Sequence, residues 1–464
     1  MAPSKADDRR GGRGRRRRSE RDDDLRRSNN GCGNGKRGRV RSDTMRKVLL
    51  GLGFWVQGFR CFPWMAVNFF LKDGLRVDPS TLQILQSSAN LPMVAKPFYG
   101  ILSDSVYIYG QHRIPYIAFG ALLQALSWIV LALLSYSTIS FSTITVYLLL
   151  GNLGASIVEV ANDALVAEIG KQYSPSSGGE LPSFVWMASS LGGVLGNLLV
   201  GITLNRLSTQ AMFLLFASLL LLQFLVTVVI KERSLDLPKS IASNNQGFKK
   251  QLSDLMVALQ EPEISYSILW FASSFAAVPA LTGTMFYYQT QHLNIETSIL
   301  GFSKVFGQIA MLFWGIIYNK HLKSVSPRKL ISAIQVAMAA LMFSDILFVK
   351  GLYQTIGIPD SLYVVIISGV LEIMCFFKIL PFSVLMAQLC PPGCEGSVMA
   401  FLMSAVALAL IVSGYLGVAL ASFVMVTGDD FSGFPSGLTV QAASTLVPLF
   451  WSTCVPEGIK PKTN

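Results

Sequence analysis

Eight ionisable side chains, Arg60, Lys96, Glu159, Asp163, Lys304, Asp345, Glu372 and Lys378, stand inside segments otherwise apolar enough to cross a lipid bilayer. An ionised group at the bilayer centre costs about 2.5–3.5 kcal/mol on insertion scales, so each is expected to face protein or a water-filled path. Glu159, Asn162 and Asp163 share one helical face by their spacing. Two carboxylates one turn apart cannot both ionise cheaply, which suits a face that takes up and releases a proton or contacts a solute. The structural alternative is that they pair with Lys96 and hold two helices together. Gln57 and Arg60 lie in FWVQGFRCFPW, among Trp55, Phe59, Phe62 and Trp64. A planar guanidinium suits a carboxylate, and the rings would either stack on a flat heteroaromatic acid or pack in core and lipid. Glu372 and Lys378 are six residues apart, on different faces, so each needs a partner elsewhere. Asp345 stands near the end of its segment and is expected to reach the membrane interface.

Those residues sit in twelve apolar runs of membrane-spanning length, 48–71, 82–103, 114–134, 143–168, 183–203, 211–230, 264–288, 299–319, 329–349, 361–387, 397–424 and 438–456. Of the 464 residues 52% are hydrophobic and 14% charged, against about 25% charged in soluble domains. The chain therefore reads as an all-α polytopic membrane protein. Its net charge of +11 belongs mostly to residues 1–47, which hold 17 Lys/Arg against 7 Asp/Glu. A charge run of this kind is expected to be a solvated tail rather than a nucleic-acid site. The six cysteines and three histidines form no metal-ligand cluster, and no nucleophile–base pair, phosphate loop or cofactor motif is apparent. An enzyme, a bound metal and a cofactor are not expected.

Lys/Arg placement predicts both termini on the cytoplasmic side, with 30 basic residues there and 4 opposite. Residues 231–263 form the longest internal polar stretch, dividing the chain into a tail (1–47), a six-helix bundle (48–230), a cytoplasmic loop (231–263), a second bundle (264–456) and a short C-terminus (457–464). The halves read as weak parallel repeats, with Lys96 matched to Lys304 and Glu159 to Glu372. Two six-helix halves around a midplane site form the major-facilitator arrangement. Gly100, Asp104 and Arg113, in GILSD and GQHR, resemble that superfamily's gating signature after the second span, whose charge pairs would form in one access state and break in the other.

GFWVQGFR, FFLKDGLRVDPSTLQ, LPMVAKPFYGILSDS, HRIPYIAFG, EVANDALVAE, MFYYQT and VLMAQLCPPGCEG, in that order over residues 48–425, resemble the folate–biopterin transporter family of the major facilitator superfamily, in its plant branch. The resemblance implies twelve helices and transport of folates or pterins, coupled to protons. Its motif residues here are Gln57, Gly58, Lys72, Asp73, Lys96, Pro97, Gly100, Asp104, Asp163, Pro279 and Pro392. The chain departs at Thr282, where the family usually has an acid, and at Gln388, where it more often has a base.

The expected function is thus alternating-access transport of a folate or pterin, with a small-molecule solute, membrane lipid and a coupling proton as partners and no nucleic acid. Candidate solute or proton residues are Gln57, Arg60, Lys96, Glu159, Asn162, Asp163, Lys304, Glu372 and Lys378; gating candidates are Gly100, Asp104 and Arg113. A carrier of another organic anion or metabolite and a non-transporting membrane scaffold are the alternatives. The membrane itself, whether plasma membrane, vacuole or plastid envelope, is left open.

Overall fold

The computed structural model describes residues 42–134, 140–170, 180–204, 206–230, 235, 247–322, 324–390 and 395–456. Most of the basic tail, residues 231–234 and 236–246 of the central loop, Lys171, Pro392 and the C-terminus 457–464 lie outside them, as does the side chain of Asp104. The first helix begins at residue 42, so the end of the tail belongs to the fold. There Arg46 Nε donates to Leu235 O at 2.6 Å.

The first span is broken: α1 (42–59) stops at Arg60 and α2 (Cys61–Phe69) resumes, closing in a wide π turn, Phe70–Gly74. The second has three pieces, α3 (Pro79–Ala89), a 3-10 turn (Leu91–Ala95) and α4 (Lys96–Ser105). Four continuous spans follow, α5 (Ile114–Leu133), α6 (Phe141–Gly170), α7 (Glu180–Thr203) and α8 (Thr209–Val229). After α9 (Gly247–Gln260), the seventh span breaks around Pro279 between α10 (Pro262–Ala276) and α11 (Thr282–Tyr287), then makes its own wide turn, Tyr288–His292. Then come α12 (Thr297–Ile317) and α13 (Pro327–Val349). The tenth span bends at Lys378, between α14 (Gly369–Phe377) and α15 (Ile379–Leu389). The chain ends with α16 (Glu395–Phe423) and α17 (Phe434–Leu446), continued by a 3-10 segment, Val447–Cys454. Eight spans, the bent tenth among them, are long and apolar enough to cross a membrane. The broken first, second, seventh and twelfth spans supply the rest of the twelve-helix reading.

Prolines explain the breaks, and side chains repair them. Proline lacks the N–H that would bond the carbonyl four residues earlier, and the bilayer offers no water in its place. Pro381 frees the Phe377 carbonyl, which accepts from Trp314 Nε1 at 3.1 Å. In the second span, Asn152 Nδ2 donates to Ala89 O (2.6 Å), Ser156 Oγ to Pro92 O (3.2 Å), and the Ser404 hydroxyl to Val94 O. Ser413 Oγ donates to Val278 O at 2.5 Å beside Pro279, and Trp270 Nε1 to Pro448 O at 2.9 Å.

The halves share a local conformation. Leu75 N donates to Phe70 O (3.1 Å) as Leu293 N does to Tyr288 O (2.9 Å), and Arg76 and Asn294 both have positive φ, 52° and 51°. Asp78 and Glu296 then cap α3 and α12. Counted from those caps, Lys96 lies ten residues further along its span than Lys304, or about 15 Å at 1.5 Å per residue. The expected match of Lys96 to Lys304 is therefore corrected: the two lysines sit at different depths. Between the halves α12 packs along α7, and α16 along α3 and α4. One end of this seam is tied by Gln83 on α3. Its Nε2 donates to Ala280 O (2.6 Å) and Gly414 O (2.7 Å), while its Oε1 accepts from the Gly283 N–H (2.8 Å) and the Thr282 hydroxyl (3.4 Å). Tyr287 Oη donates to Val77 O nearby, and Phe69 packs edge-on against Phe286.

Candidate functional site

The break at Arg60 points a guanidinium out of the first span toward α6. Arg60 Nη1 donates to Glu159 Oε1 at 2.5 Å, and Nη2 to Asn152 Oδ1 at 2.8 Å. Lys96, at the start of α4, donates to the other Glu159 oxygen at 2.7 Å. One buried carboxylate thus carries two cations, joining three spans. Removing one partner of such a buried pair costs about 3–5 kcal/mol. The same break leaves the aromatic residues inside the first half: Phe59 stacks between Trp55 (5.1 Å) and Phe216 (6.4 Å), and Phe62 is fully buried. Phe59 and Phe62 are core, which selects packing over the stacking of a solute for these two rings.

Asp163, one turn below Glu159, is exposed and makes no ion pair among the described residues. Asn162 is fully buried against Gly53 with neither amide atom bonded. A cavity of about 10 Å³ opens beside Arg60 and Glu159, lined by Gln57, Gln124 and Gln223. That is about the smallest space that holds one water, too small for a heterocyclic solute. Gln57 Oε1 and both amide atoms of Gln223 are buried without a protein partner there.

In the second half Lys304 pairs with Glu372, side chains 32% and 48% exposed. Pairs exposed to this degree contribute only about 0–1 kcal/mol. Lys378 is fully enclosed: its Nζ donates to Gln335 Oε1 (2.9 Å) and Ser274 Oγ (3.1 Å) and lies 3.9 Å from the Phe275 ring centre. Asp345, expected at the interface, is instead buried and accepts from Tyr363 Oη at 2.9 Å. Of the gating candidates, Arg113 is buried. It donates to Ser103 Oγ (2.6 Å) and through Nε (2.9 Å) and Nη2 (2.7 Å) to Glu168 Oε1, tying α4, α5 and α6 together. Gly100 faces Val160 of α6 at the start of that corner.

The structure therefore brings Arg60, Lys96 and Glu159 together, and Lys304 with Glu372, but keeps Lys378 apart from both. Asn152, Glu168, Gln83 and Gln335 escape a sequence reading. Polar neutral residues are common in membrane helices, and Glu168 sits at a span end where charge is ordinary. Its spacing of five residues from Asp163 was the one available signal.

The BT1 family model matches residues 57–462. The chain belongs to the BT1 family. "Probable folate-biopterin transporter 7" of Arabidopsis thaliana is 62% identical over 415 residues, covering 89% of this chain and 94% of its own. The "Folate-biopterin transporter" of Synechocystis is 28% identical over 418 residues, covering 89% and 82%. Among solved structures, the crystal structure of a D-xylose-proton symporter aligns with TM-score 0.67 at 14% identity, covering 89% of this chain and 98% of that one. That likeness establishes the major-facilitator fold. This BT1 member is a multi-pass membrane transporter, not an enzyme.

Proposed function

We propose that this BT1 protein carries a folate or pterin across its membrane by alternating access, coupled to protons, with both termini cytoplasmic. The observation that carries the reading is the Arg60–Glu159–Lys96 network with an unpaired acid one turn away. Glu159 is held by two cations, so it is poorly placed to exchange a proton. Asp163 has no such partner among the described residues and is exposed, so it is free to take up and release one. The solute class is supported by the names of the related transporters.

Uptake of labelled folate and of a labelled pterin into proteoliposomes, with and without an imposed pH gradient, tests the reading. Wild type should accumulate solute with the gradient. Asp163→Asn should lose at least tenfold of the gradient-driven accumulation while still exchanging internal for external solute. Gradient-insensitive uptake by wild type would remove the proton from the mechanism. A different organic anion is the second reading, favoured by Thr282, whose hydroxyl meets Gln83 Oε1 where the family usually has an acid. Failure of unlabelled folate and pterin to compete with the best substrate would select it.

A further inference from the structure

The two ion pairs differ in how they are built, and the difference assigns them different work. Glu159 is shared by Arg60 and Lys96, with Asn152 completing the guanidinium's bonds, and every member is largely buried. Lys304 and Glu372 are paired one to one and are far more exposed.

On α12 the exposed apolar residues Phe302, Ile309, Phe313 and Ile316 form one stripe, repeating at helical spacing. Lys304 falls roughly opposite it at 100° per residue, with Gly315 and Gln308 on the flank beside Lys304. A Cβ at Gly315 would meet nothing within 4 Å, and the Gln308 amide lies beside Gly193 of α7, across the seam between the halves. The face that carries Lys304 therefore looks toward that seam, with open space at Gly315. Glu372 reaches Lys304 from α14, which approaches so closely that a Cβ at Gly307 would fall 2.7 Å from Gly369 O. Of the two side chains the carboxylate is the more exposed, 48% against 32%.

We propose that Lys304 is the receptor for a solute carboxylate, and that Glu372 is a resident counter-ion which the solute's carboxylate displaces. The proposal rests on the solute class above, because a folate ends in a glutamyl dicarboxylate whereas a simple pterin has no carboxylate. It makes Lys304 a specificity residue, reading the acidic end of the solute. It leaves the Arg60 network intact while solute binds, and gives Lys378, enclosed by Ser274, Gln335 and Phe275, no part in solute contact. When the solute leaves, Glu372 returns to Lys304, so an empty carrier never holds a bare ammonium at the seam.

The test uses the purified full chain and N-(4-aminobenzoyl)glutamate, a dicarboxylate with no pterin, read by ligand-dependent thermal stabilisation. The wild-type protein should be stabilised. Glu372→Gln, which removes the competitor, should bind the probe at least fivefold more tightly. Lys304→Gln should weaken it at least tenfold, and Lys304→Arg should restore most of the binding. Equal binding by all four proteins, or none by wild type, overturns the proposal. Tighter binding by Glu372→Gln cannot arise from misfolding, so that arm stands even where Lys304→Gln fails to fold. Uptake assays separate this from the broader reading. Lys304-dependent probe binding without uptake of folate or pterin would keep the carboxylate site and reject the solute class. Folate uptake with probe binding indifferent to both residues would do the reverse.

Discussion

Arg60 holds its network together because it alone bonds two partners on α6, Glu159 and Asn152, from one planar group. A lysine supplies charge without that fork. Arg60→Lys should therefore keep the protein folded and in the membrane but cut uptake several-fold. Arg60→Ala, which leaves Asn152 Oδ1 and one Glu159 oxygen without their donor, should lower uptake at least tenfold; initial rates normalised to surface protein decide this. The charged residues were legible in sequence because any ionised group in an apolar span demands an explanation. Their pairing was only half legible. Lys96 as a partner of Glu159 follows from adjacent spans, but Arg60 reaches Glu159 only through a helix break whose geometry depends on Pro63 and on the packing of α7. The depth of Lys304 was misread because the halves were matched by residue type: Lys96 stands eighteen residues from its cap and Lys304 eight, so equal chemistry does not mean equal height.

The helices themselves followed closely from hydropathy. All twelve apolar runs fall on helical spans, four of them ending one or two residues past the helix, and most of the helices begin a few residues before the run. What hydropathy does not reveal is how a broken span stays in lipid, since the repairing groups come from other spans. Trp314 is such a repair: its indole N–H serves the Phe377 carbonyl and its ring stacks on Phe377 at 4.8 Å. Trp314→Phe keeps a ring but leaves the carbonyl without its donor, at a cost of about 1–3 kcal/mol, which should appear as a lowered melting temperature with solute affinity little changed. Close backbone approach is the second hidden requirement. A Cβ at Gly58 would lie 1.9 Å from Ser189 O, and one at Gly192 2.1 Å from Trp55 O. Gly58→Ala should force the first and fifth spans apart and abolish accumulation of folded protein, measured by size-exclusion profile after mild detergent extraction.

Taken whole, the molecule is two helical halves tied at one end of their seam by Gln83 and Tyr287. The family strings marked the architecture in advance; the closed end was not foreseeable, because Gln83 looks like any glutamine near a helix start. It works through backbone groups of the broken seventh span and of α16: Ala280 and Gly414 offer carbonyls, Gly283 an N–H, and glycine at 417 leaves the room, since a Cβ there would lie 1.8 Å from Ala280 O. Gln83→Ala should shift the population toward opening at that end. A single cysteine placed at Val77, which receives the Tyr287 hydroxyl, should then react with a membrane-impermeant maleimide at least five times faster than in the otherwise wild-type protein. An unchanged rate would mean that the apolar contact of Phe69 with Phe286 holds the end shut alone.

The tie at Gln83 is made of amide, hydroxyl and backbone groups, with no ionised side chain among its bonds. Carrying a unit charge through the full membrane field is worth about 2.3 kcal/mol per 100 mV, but making or breaking this tie carries none. Opening and closing at that end should be electrically silent, so any voltage dependence of the transport cycle has to enter with the solute, the coupled proton or the charged pairs inside the spans.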